Sequence, residues 1–285
     1  MMKNVSKKDC SYVEYIKYIP GGNDTALVIK KVFSPEEKKT INDVILESDK
    51  SIEQVGFVEE GNEPEIEMAG GEFCGNATRS AASYYLKGMP GIIKIKVNGK
   101  DYINAGVYEN GNAWCEIPLY HGEDVIVQKE VGIYQVKMNG MVSIVILEDI
   151  AQQYLKDKTK LKEVAVQFIE KYNLRDQEAV GVMFLEKDVK LKIHPVVWVK
   201  DVNTIYYESG CGSGTTATAM VEAFLTNESQ KLEIIQPSGL IITAEITIQN
   251  QHIIRAVISG NVNTDNKVVR IEVLKPKSQI LLNNK

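Results

Sequence analysis

Two cysteines occupy matching places in two similar stretches of the sequence, and their residue types suit acid–base chemistry. The first stretch reads EFCGNATRSAASYYL and contains Cys74, and the second reads ESGCGSGTTATAMVEAFL and contains Cys211. The Ala-, Thr- and Ser-rich run after each cysteine predicts a helix that starts there. The N–H groups and positive dipole end of a helix N-terminus favour a thiolate and also bind a carboxylate. Two such sites facing each other would form an anion pocket with a thiol on either side.

This predicted pocket suits proton exchange at the α-carbon of an amino acid. That carbon is a very weak acid, and helix N–H groups on the carboxylate can take up the charge that develops in the transition state. Inversion needs one group that removes the proton and another that supplies a proton on the opposite face. A thiolate and a thiol can do this without metal or cofactor, if their pKa values lie near neutrality. Gly75 and Gly212, which follow the cysteines, would let the ligand approach the backbone.

The other cysteines and the histidines offer less chemistry. Cys115 lies in a predicted strand and is expected to be packed rather than catalytic. The three histidines, His121, His194 and His252, are far in sequence from both motifs, so a histidine base or a His₃ metal site has little support. A single cysteine at a helix start is usually simple packing, and the duplication is what favours function. The alternatives outside enzymology are an amino-acid-binding protein and a redox sensor whose cysteines close a disulfide.

Composition narrows the class of protein. The chain has 285 residues, 44% of them hydrophobic and 25% charged, with a formal net charge of −5, which offers no basic surface for nucleic acid. No apolar run reaches the ~18 residues of a membrane span, and the start lacks the apolar segment of a signal peptide. Four cysteines without a CxxC pair argue against a disulfide framework and a structural zinc site. We therefore expect a cytoplasmic protein with no metal, no cofactor and no membrane partner.

The elements around the two motifs follow one order. Strands are predicted over 13–19 and 25–33, around a glycine-rich turn that exposes Asn23, followed by a helix over 35–47 and a strand that carries Gln54 inward. Turns are predicted at Asn110 and Asn250, which lie 36 residues after the first cysteine and 39 after the second.

This repetition indicates an internal duplication. The second half also contains a predicted helix over 158–172, and residues 121–132 are polar without a clear period. The expected division is an N-terminal half over 1–132, completed by a closing strand over 267–275, and a C-terminal half over 133–266.

Taken together, GGND, EQVGF, FCGNATRS and ESGCGSGT resemble, in order and over nearly the whole chain, the diaminopimelate epimerase-like, cofactor-independent amino acid racemases. The resemblance implies an α/β (α+β) fold of two pseudo-symmetric domains, each a mostly antiparallel, barrel-like sheet around a central helix. It also implies a homodimer, an active site between the domains, and Cys74 and Cys211 as the acid/base pair. The binding residues that it implies are the N–H groups of Gly75, Asn76, Gly212 and Ser213 for the α-carboxylate, with Asn23 and Gln54 lining the pocket.

Several positions depart from the epimerase pattern. The run before the second cysteine, VNTIYYES, has no arginine, and Met68 and Gly70 stand where the epimerase has an asparagine. Ser143 lies near a family histidine position, and Gly181 replaces another pocket asparagine. The groups that hold a second zwitterion are therefore missing, and a smaller or differently shaped substrate side chain is expected.

Glu72 and Glu208 are similar to residues of the histidine racemases of this family, which makes racemisation of L-histidine to D-histidine the expected reaction. One of these carboxylates is expected to meet the substrate ammonium or to tune a thiol, and the alternative is that both are exposed loop residues. Other possible activities on this fold are diaminopimelate or lanthionine epimerisation, proline-type racemisation, and a phenazine-pathway-like isomerisation, although enzymes of that last group usually lack the cysteine pair.

Overall fold

The computed structural model describes residues 10–29, 33–59, 63–122, 124–200 and 204–274. These residues form seventeen strands and five α-helices. In these ranges no helix combines the length and the apolar character that a membrane span requires. The fold is a mixed α/β fold dominated by sheet, as the sequence predicted.

The first half contains seven strands and two helices. They are β1 (Cys10–Ile19), β2 (Thr25–Ile29), α1 (Pro35–Ser48), β3 (Gln54–Val58), β4 (Glu65–Met68), α2 (Gly75–Leu86), β5 (Gly91–Val97), β6 (Asp101–Val107) and β7 (Ala113–Glu116). Helix α1 begins at Pro35 because Ser34 and Glu37 form a reciprocal capping box, which satisfies N–H groups that the first turn leaves without partners. The predicted strand over 25–33 ends at Ile29, and residues 30–32 lie outside the described ranges.

The described residues from Ile126 to Leu274 contain ten strands and three α-helices. They are β8 (Ile126–Glu130), β9 (Ile133–Met138), β10 (Met141–Ile146), α3 (Glu148–Leu155), α4 (Leu161–Lys171), β11 (Ala179–Lys187), β12 (Leu191–Val199), β13 (Thr204–Tyr207), α5 (Gly212–Thr226), β14 (Gln230–Ile235), β15 (Ile241–Gln249), β16 (His252–Gly260) and β17 (Asn263–Leu274).

Three elements differ from the sequence-based expectation. Helix α3 is not predicted because the acidic residues that start it, Glu148 and Asp149, directly follow a strand and resemble its end. Strand β8 lies in the segment that showed no period, and its antiparallel pairing with β9 holds it in place although its side chains are mostly exposed. Strand β17 begins at Asn263, four residues earlier than expected, and pairs with β1 along its length.

The strand pairings follow the same order in both halves. From β1 to β7, successive neighbours pair antiparallel, parallel, antiparallel, parallel, antiparallel and antiparallel. The series β9, β10, β11, β12, β14, β15, β16 repeats that order. Strand β7 pairs with β16 and thereby joins the two series. The division into domains at residue 132 stays a prediction.

The helices that follow the two cysteines are the most buried of the described helices. Helix α2 contacts β2, β5, β6 and β7, and α5 contacts β10, β14, β15 and β16, so each lies against strands of its own half. Both can be enclosed because their inner faces carry small residues: Ala77, Ala81, Ala217 and Ala219 are fully buried. One continuous core includes residues of both helices and therefore fixes the cysteines relative to one another.

Candidate active site

Each cysteine of the pair is the N-cap of its helix. The backbone angles of Cys74 (φ −125°, ψ 111°) and Cys211 (φ −128°, ψ 106°) are nearly identical. The Cys74 Sγ accepts a hydrogen bond from the Ala77 N–H at 3.4 Å, and the Cys211 Sγ accepts one from the Gly214 N–H at 3.3 Å. At both helices a sulfur atom takes the place of the side-chain oxygen that usually caps a helix. This agrees with the predicted helix start at each cysteine.

All ten residues predicted for the site line one small cavity. They are Asn23, Gln54, Glu72, Cys74, Gly75, Asn76, Glu208, Cys211, Gly212 and Ser213. The first two residues of each helix have no intrahelical acceptor for their N–H groups, which is a consequence of helix geometry. Four such N–H groups, two from α2 and two from α5, thus belong to residues that line this cavity. The catalytic and binding roles of these residues stay predictions.

The glycines after the cysteines also contact the packed core, in addition to the role in ligand approach that stays a prediction. A Cβ atom at Gly75 or at Gly212 would lie 2.6 Å from the same atom, the Cδ1 of Ile258. The next atom that such a Cβ would meet is the Ile117 Cδ1 for Gly75 and the Asn76 Oδ1 for Gly212, each at 3.1 Å. A side chain at either glycine would therefore require Ile258 to shift.

The thiols also contact polar side chains. The Cys74 thiol donates to the Gln54 Oε1 at 2.8 Å, and the Cys211 Sγ lies 3.3 Å from the Ser213 Oγ. Gln236, which sequence reasoning missed, accepts a hydrogen bond from the Cys211 N–H at 2.9 Å and donates to the Thr215 Oγ1 at 3.0 Å. Its position just after β14 gave no signal of this role.

Both thiols are weaker acids in the structure than the sequence-based mechanism assumed. Burial raises the pKa of Cys74 to about 12, although the hydrogen bond from the Ala77 N–H acts in the opposite direction. Burial also raises the pKa of Cys211 well above its ordinary value, and the nearby Glu208 adds to this. The condition that the thiol pKa values lie near neutrality is therefore not met by the protein alone, because desolvation outweighs the stabilisation at the helix end.

Glu208 is a buried carboxyl group rather than an exposed loop residue. Burial, followed by the charges of Glu53 and Glu72, raises its pKa to about 8, while hydrogen bonds from Cys211 and Asn23 oppose the rise. Asn23 is itself buried, and its Oδ1 has no hydrogen-bond partner among the described residues. A buried acceptor beside a carboxyl group is a suitable place for a cationic donor.

Two further spaces adjoin the cavity. One, of about 70 Å³, shares the residues Gln54, Glu72 and Glu208 with the cavity and is also lined by Glu53 and Tyr206. The other is a larger cleft of about 530 Å³. Phe73 and Met141 line both this cleft and the cavity, so these two side chains form the wall between them.

Comparisons with solved structures define the class of fold. The chain is similar to a phenazine biosynthesis protein of the PhzF family from Bacillus anthracis, with 13% identity, a TM-score of 0.62, and coverage of 92% of this chain and 99% of that one. It is also similar to a hydroxyproline epimerase from Agrobacterium vitis with bound trans-4-hydroxy-L-proline, with 11% identity, a TM-score of 0.60, and coverage of 92% and 91%. These likenesses show the fold.

Sequence comparison gives the family. The family model described as the histidine racemase CntK N-terminal domain matches residues 12–267, and the chain belongs to this family. A histidine racemase from Staphylococcus aureus (strain Mu50) is 27% identical over 250 residues, which cover 81% of this chain and 87% of that protein. The predictions of an isomerase and of an amino acid racemase family are confirmed.

Proposed function

We propose that the protein racemises histidine, L to D, by a two-base mechanism in which Cys74 and Cys211 exchange the α-proton. The observation that carries this proposal is the pair of matched helix N-caps, whose sulfur atoms belong to residues lining one cavity. Two helix starts that meet in this way provide both the acid/base groups and the N–H donors that an α-carboxylate needs.

The reaction follows from this arrangement. The N–H groups of Gly75, Asn76, Gly212 and Ser213 bind the α-carboxylate. One cysteine, as thiolate, removes the α-proton and becomes a thiol, while the electron pair moves into the carboxylate to give an enediolate. The other cysteine, as thiol, donates its proton to the opposite face of the α-carbon and becomes a thiolate. Proton and charge are thus balanced, and the enzyme ends with the two protonation states exchanged.

Because the thiol pKa values are raised, the bound substrate must help to lower them. Glu208 raises the pKa of Cys211. The ammonium group of a bound amino acid, held by the Asn23 Oδ1 and Glu208, would bring a positive charge that opposes this effect and the desolvation of the thiols. Substrate binding therefore helps one thiol to lose its proton to solvent and become the thiolate, whereas both thiols stay protonated, and less easily oxidised, in the free enzyme.

Histidine as the substrate is supported by the family and by the adjoining space. That space is lined by the carboxyl groups of Glu53, Glu72 and Glu208. An imidazole ring carries N–H donors that carboxylates accept, and its size suits a pocket that lacks groups for a second zwitterion. The substrate side chain would thus point from the cavity toward Glu53.

The test is α-hydrogen exchange in D₂O under reducing conditions, with L-histidine, a panel of other amino acids and diaminopimelate. Exchange and racemisation of histidine that are abolished in both Cys74→Ser and Cys211→Ser support the proposal. Exchange of a different amino acid would keep the mechanism and refute histidine. No exchange with any of them, in folded protein with free thiols, would refute the racemase proposal and favour an amino-acid-binding or redox-sensing protein.

We also propose that the enzyme is a cytoplasmic homodimer. The described cysteines, Cys74, Cys115 and Cys211, are all free thiols, as a reducing compartment would keep them. Sedimentation of the purified protein measures the dimer directly, and a monomer at micromolar concentration would contradict this part of the proposal.

A further inference from the structure

Arg79, on the helix that follows Cys74, is completely buried, and the mechanism above gives it no task. It is the largest fully buried side chain of the described residues. A guanidinium group without water is costly unless its donors and its charge are satisfied. No carboxylate of the described residues forms an ion pair with it, and its Nε has no hydrogen-bond partner among them. The fold therefore holds a buried positive charge that no carboxylate within the described ranges directly neutralises.

The remaining donors of Arg79 join three parts of the site. Its Nη2 donates to the Pro20 oxygen at 2.7 Å and to the Asn76 Oδ1 at 2.8 Å, and its Nη1 donates to the Gly260 oxygen at 3.2 Å. Pro20 begins the turn that carries Asn23, and Gly260 ends strand β16 of the other half. A single planar group thus fixes the turn, helix α2 and the second half relative to one another.

Asn76 extends this connection to the second cysteine. Because its Oδ1 accepts from Arg79, its Nδ2 is oriented toward Gly210 and donates to the oxygen of that residue at 3.0 Å. Gly210 immediately precedes Cys211. The path from Arg79 through Asn76 to Gly210 therefore links the helix of one cysteine to the N-cap of the other.

The charge of Arg79 lies next to the cavity, because its Nη2 bonds to the Asn76 Oδ1 and Asn76 lines the cavity. Burial lowers the pKa of Arg79 to about 10, and the negative charges of the Cys115 and Cys74 thiolates would oppose this lowering. The cavity collects a thiolate, the substrate carboxylate and the nearby carboxyl groups of Glu72 and Glu208. A buried cation nearby reduces the free-energy cost of these anions more than a surface cation could, because water does not screen it.

We propose that Arg79 is a positioning residue of the racemase, which fixes the two cysteine helices and the Asn23 turn and supplies a buried positive charge that balances the anions of the cavity. This inference rests on the proposed function. Substitution by lysine distinguishes the positioning role from the role of the charge, because lysine would keep the charge but lose the planar guanidinium that bonds to three acceptors.

The experiment compares Arg79→Gln and Arg79→Lys with Arg255→Gln, a matched control that removes an exposed arginine bonded to Glu116. Two quantities are measured: kcat and KM for histidine, and the rate at which iodoacetamide alkylates Cys74 between pH 7 and pH 10, followed by peptide mass spectrometry. Circular dichroism verifies that each variant is folded.

We expect Arg79→Gln to lower kcat and the alkylation rate of Cys74 at a given pH by at least about tenfold each, about 1.4 kcal/mol. Arg79→Lys should lower kcat but leave the alkylation rate of Cys74 within about threefold of the wild-type rate, a smaller change than the tenfold loss expected for Arg79→Gln. The control should change neither quantity.

Two outcomes would overturn the inference. A folded Arg79→Gln with wild-type alkylation refutes the role of the charge, and Arg79→Lys with wild-type kcat refutes the positioning role. If Arg79→Gln does not fold, the lysine variant decides. If the wild type exchanges the α-proton of no amino acid, the proposed function fails, but the alkylation profile still tests Arg79.

Discussion

Replacement of Gly75 by alanine would test whether the glycines of the paired motif serve packing or ligand approach. The new Cβ would lie 2.6 Å from the Ile258 Cδ1 and 3.1 Å from the Ile117 Cδ1, whereas ordinary contacts are 3.4–4 Å. The nearer methyl group must retreat by roughly 1 Å in a well-packed core, which costs about 1–3 kcal/mol. Alanine regains at most about 1 kcal/mol through its higher helix propensity. The two contributions leave a loss of about 0–3 kcal/mol, and at the middle of both ranges we expect Gly75→Ala to lower the free energy of unfolding by about 1.5 kcal/mol.

A second substitution identifies the cause. Ile258→Val removes the Cδ1 and costs about 0.5–1.5 kcal/mol by itself, but it also makes room for the new methyl group. The double variant Gly75→Ala/Ile258→Val should be more stable than additivity predicts, by about 1 kcal/mol or more. The matched control is Gly75→Ala/Ile117→Val, which relieves only the longer contact and should recover less.

Urea unfolding gives these free energies, and histidine racemisation is measured on the same samples. Additive effects of Gly75→Ala and Ile258→Val, or a Gly75→Ala variant as stable as the wild type, would refute the packing argument. If the double variant regains stability but not activity, ligand approach also requires glycine at this position.

Two further predictions concern polar groups. Gln236→Leu leaves the Cys211 N–H without its side-chain acceptor and removes a donor to the Thr215 hydroxyl, which keeps its own hydrogen bond to the Cys211 oxygen. The variant should cost about 1–3 kcal/mol in urea unfolding and reduce kcat. Gln236→Glu, which keeps the acceptor, should lose less stability, and equal losses would contradict this account. His194 lies between Glu186 and Tyr207, and burial lowers its pKa below the ordinary 6.5. Its contribution to stability is therefore present above about pH 6.5 and is lost as the pH falls further. Tm should fall between pH 7.5 and pH 5.5, and His194→Gln should reduce this fall; an unchanged fall would show that another group causes it.

The sequence by itself determined the starts of the two central helices, and its resemblance to a racemase family indicated the residues that meet at the site. The helix starts depend on local physics, since a cysteine can cap a helix that the following run of small residues continues. The duplicated motif is also sufficient to indicate the racemase family, because both copies carry the cysteine and the helix start that the chemistry needs. Helix α1 is predictable almost to the residue because its capping signals, Ser34 and Pro35, are adjacent in sequence.

Only the tertiary structure decided how the parts of the site act on one another. Ile258 lies between Gly75 and Gly212, and Gln236 holds the Cys211 N–H, although these partners are far apart in the chain. The thiol pKa values likewise depend on how completely the fold removes water, which a sequence pattern does not contain. Arg79 lies within the first motif and is a charged residue in a run of small residues. This was the available signal in the sequence, but the motif indicated no role for it. The role proposed for it depends on the fold, which brings Pro20, Asn76 and Gly260 around one guanidinium, because long-range contacts are set by the whole packing arrangement and not by neighbours in sequence.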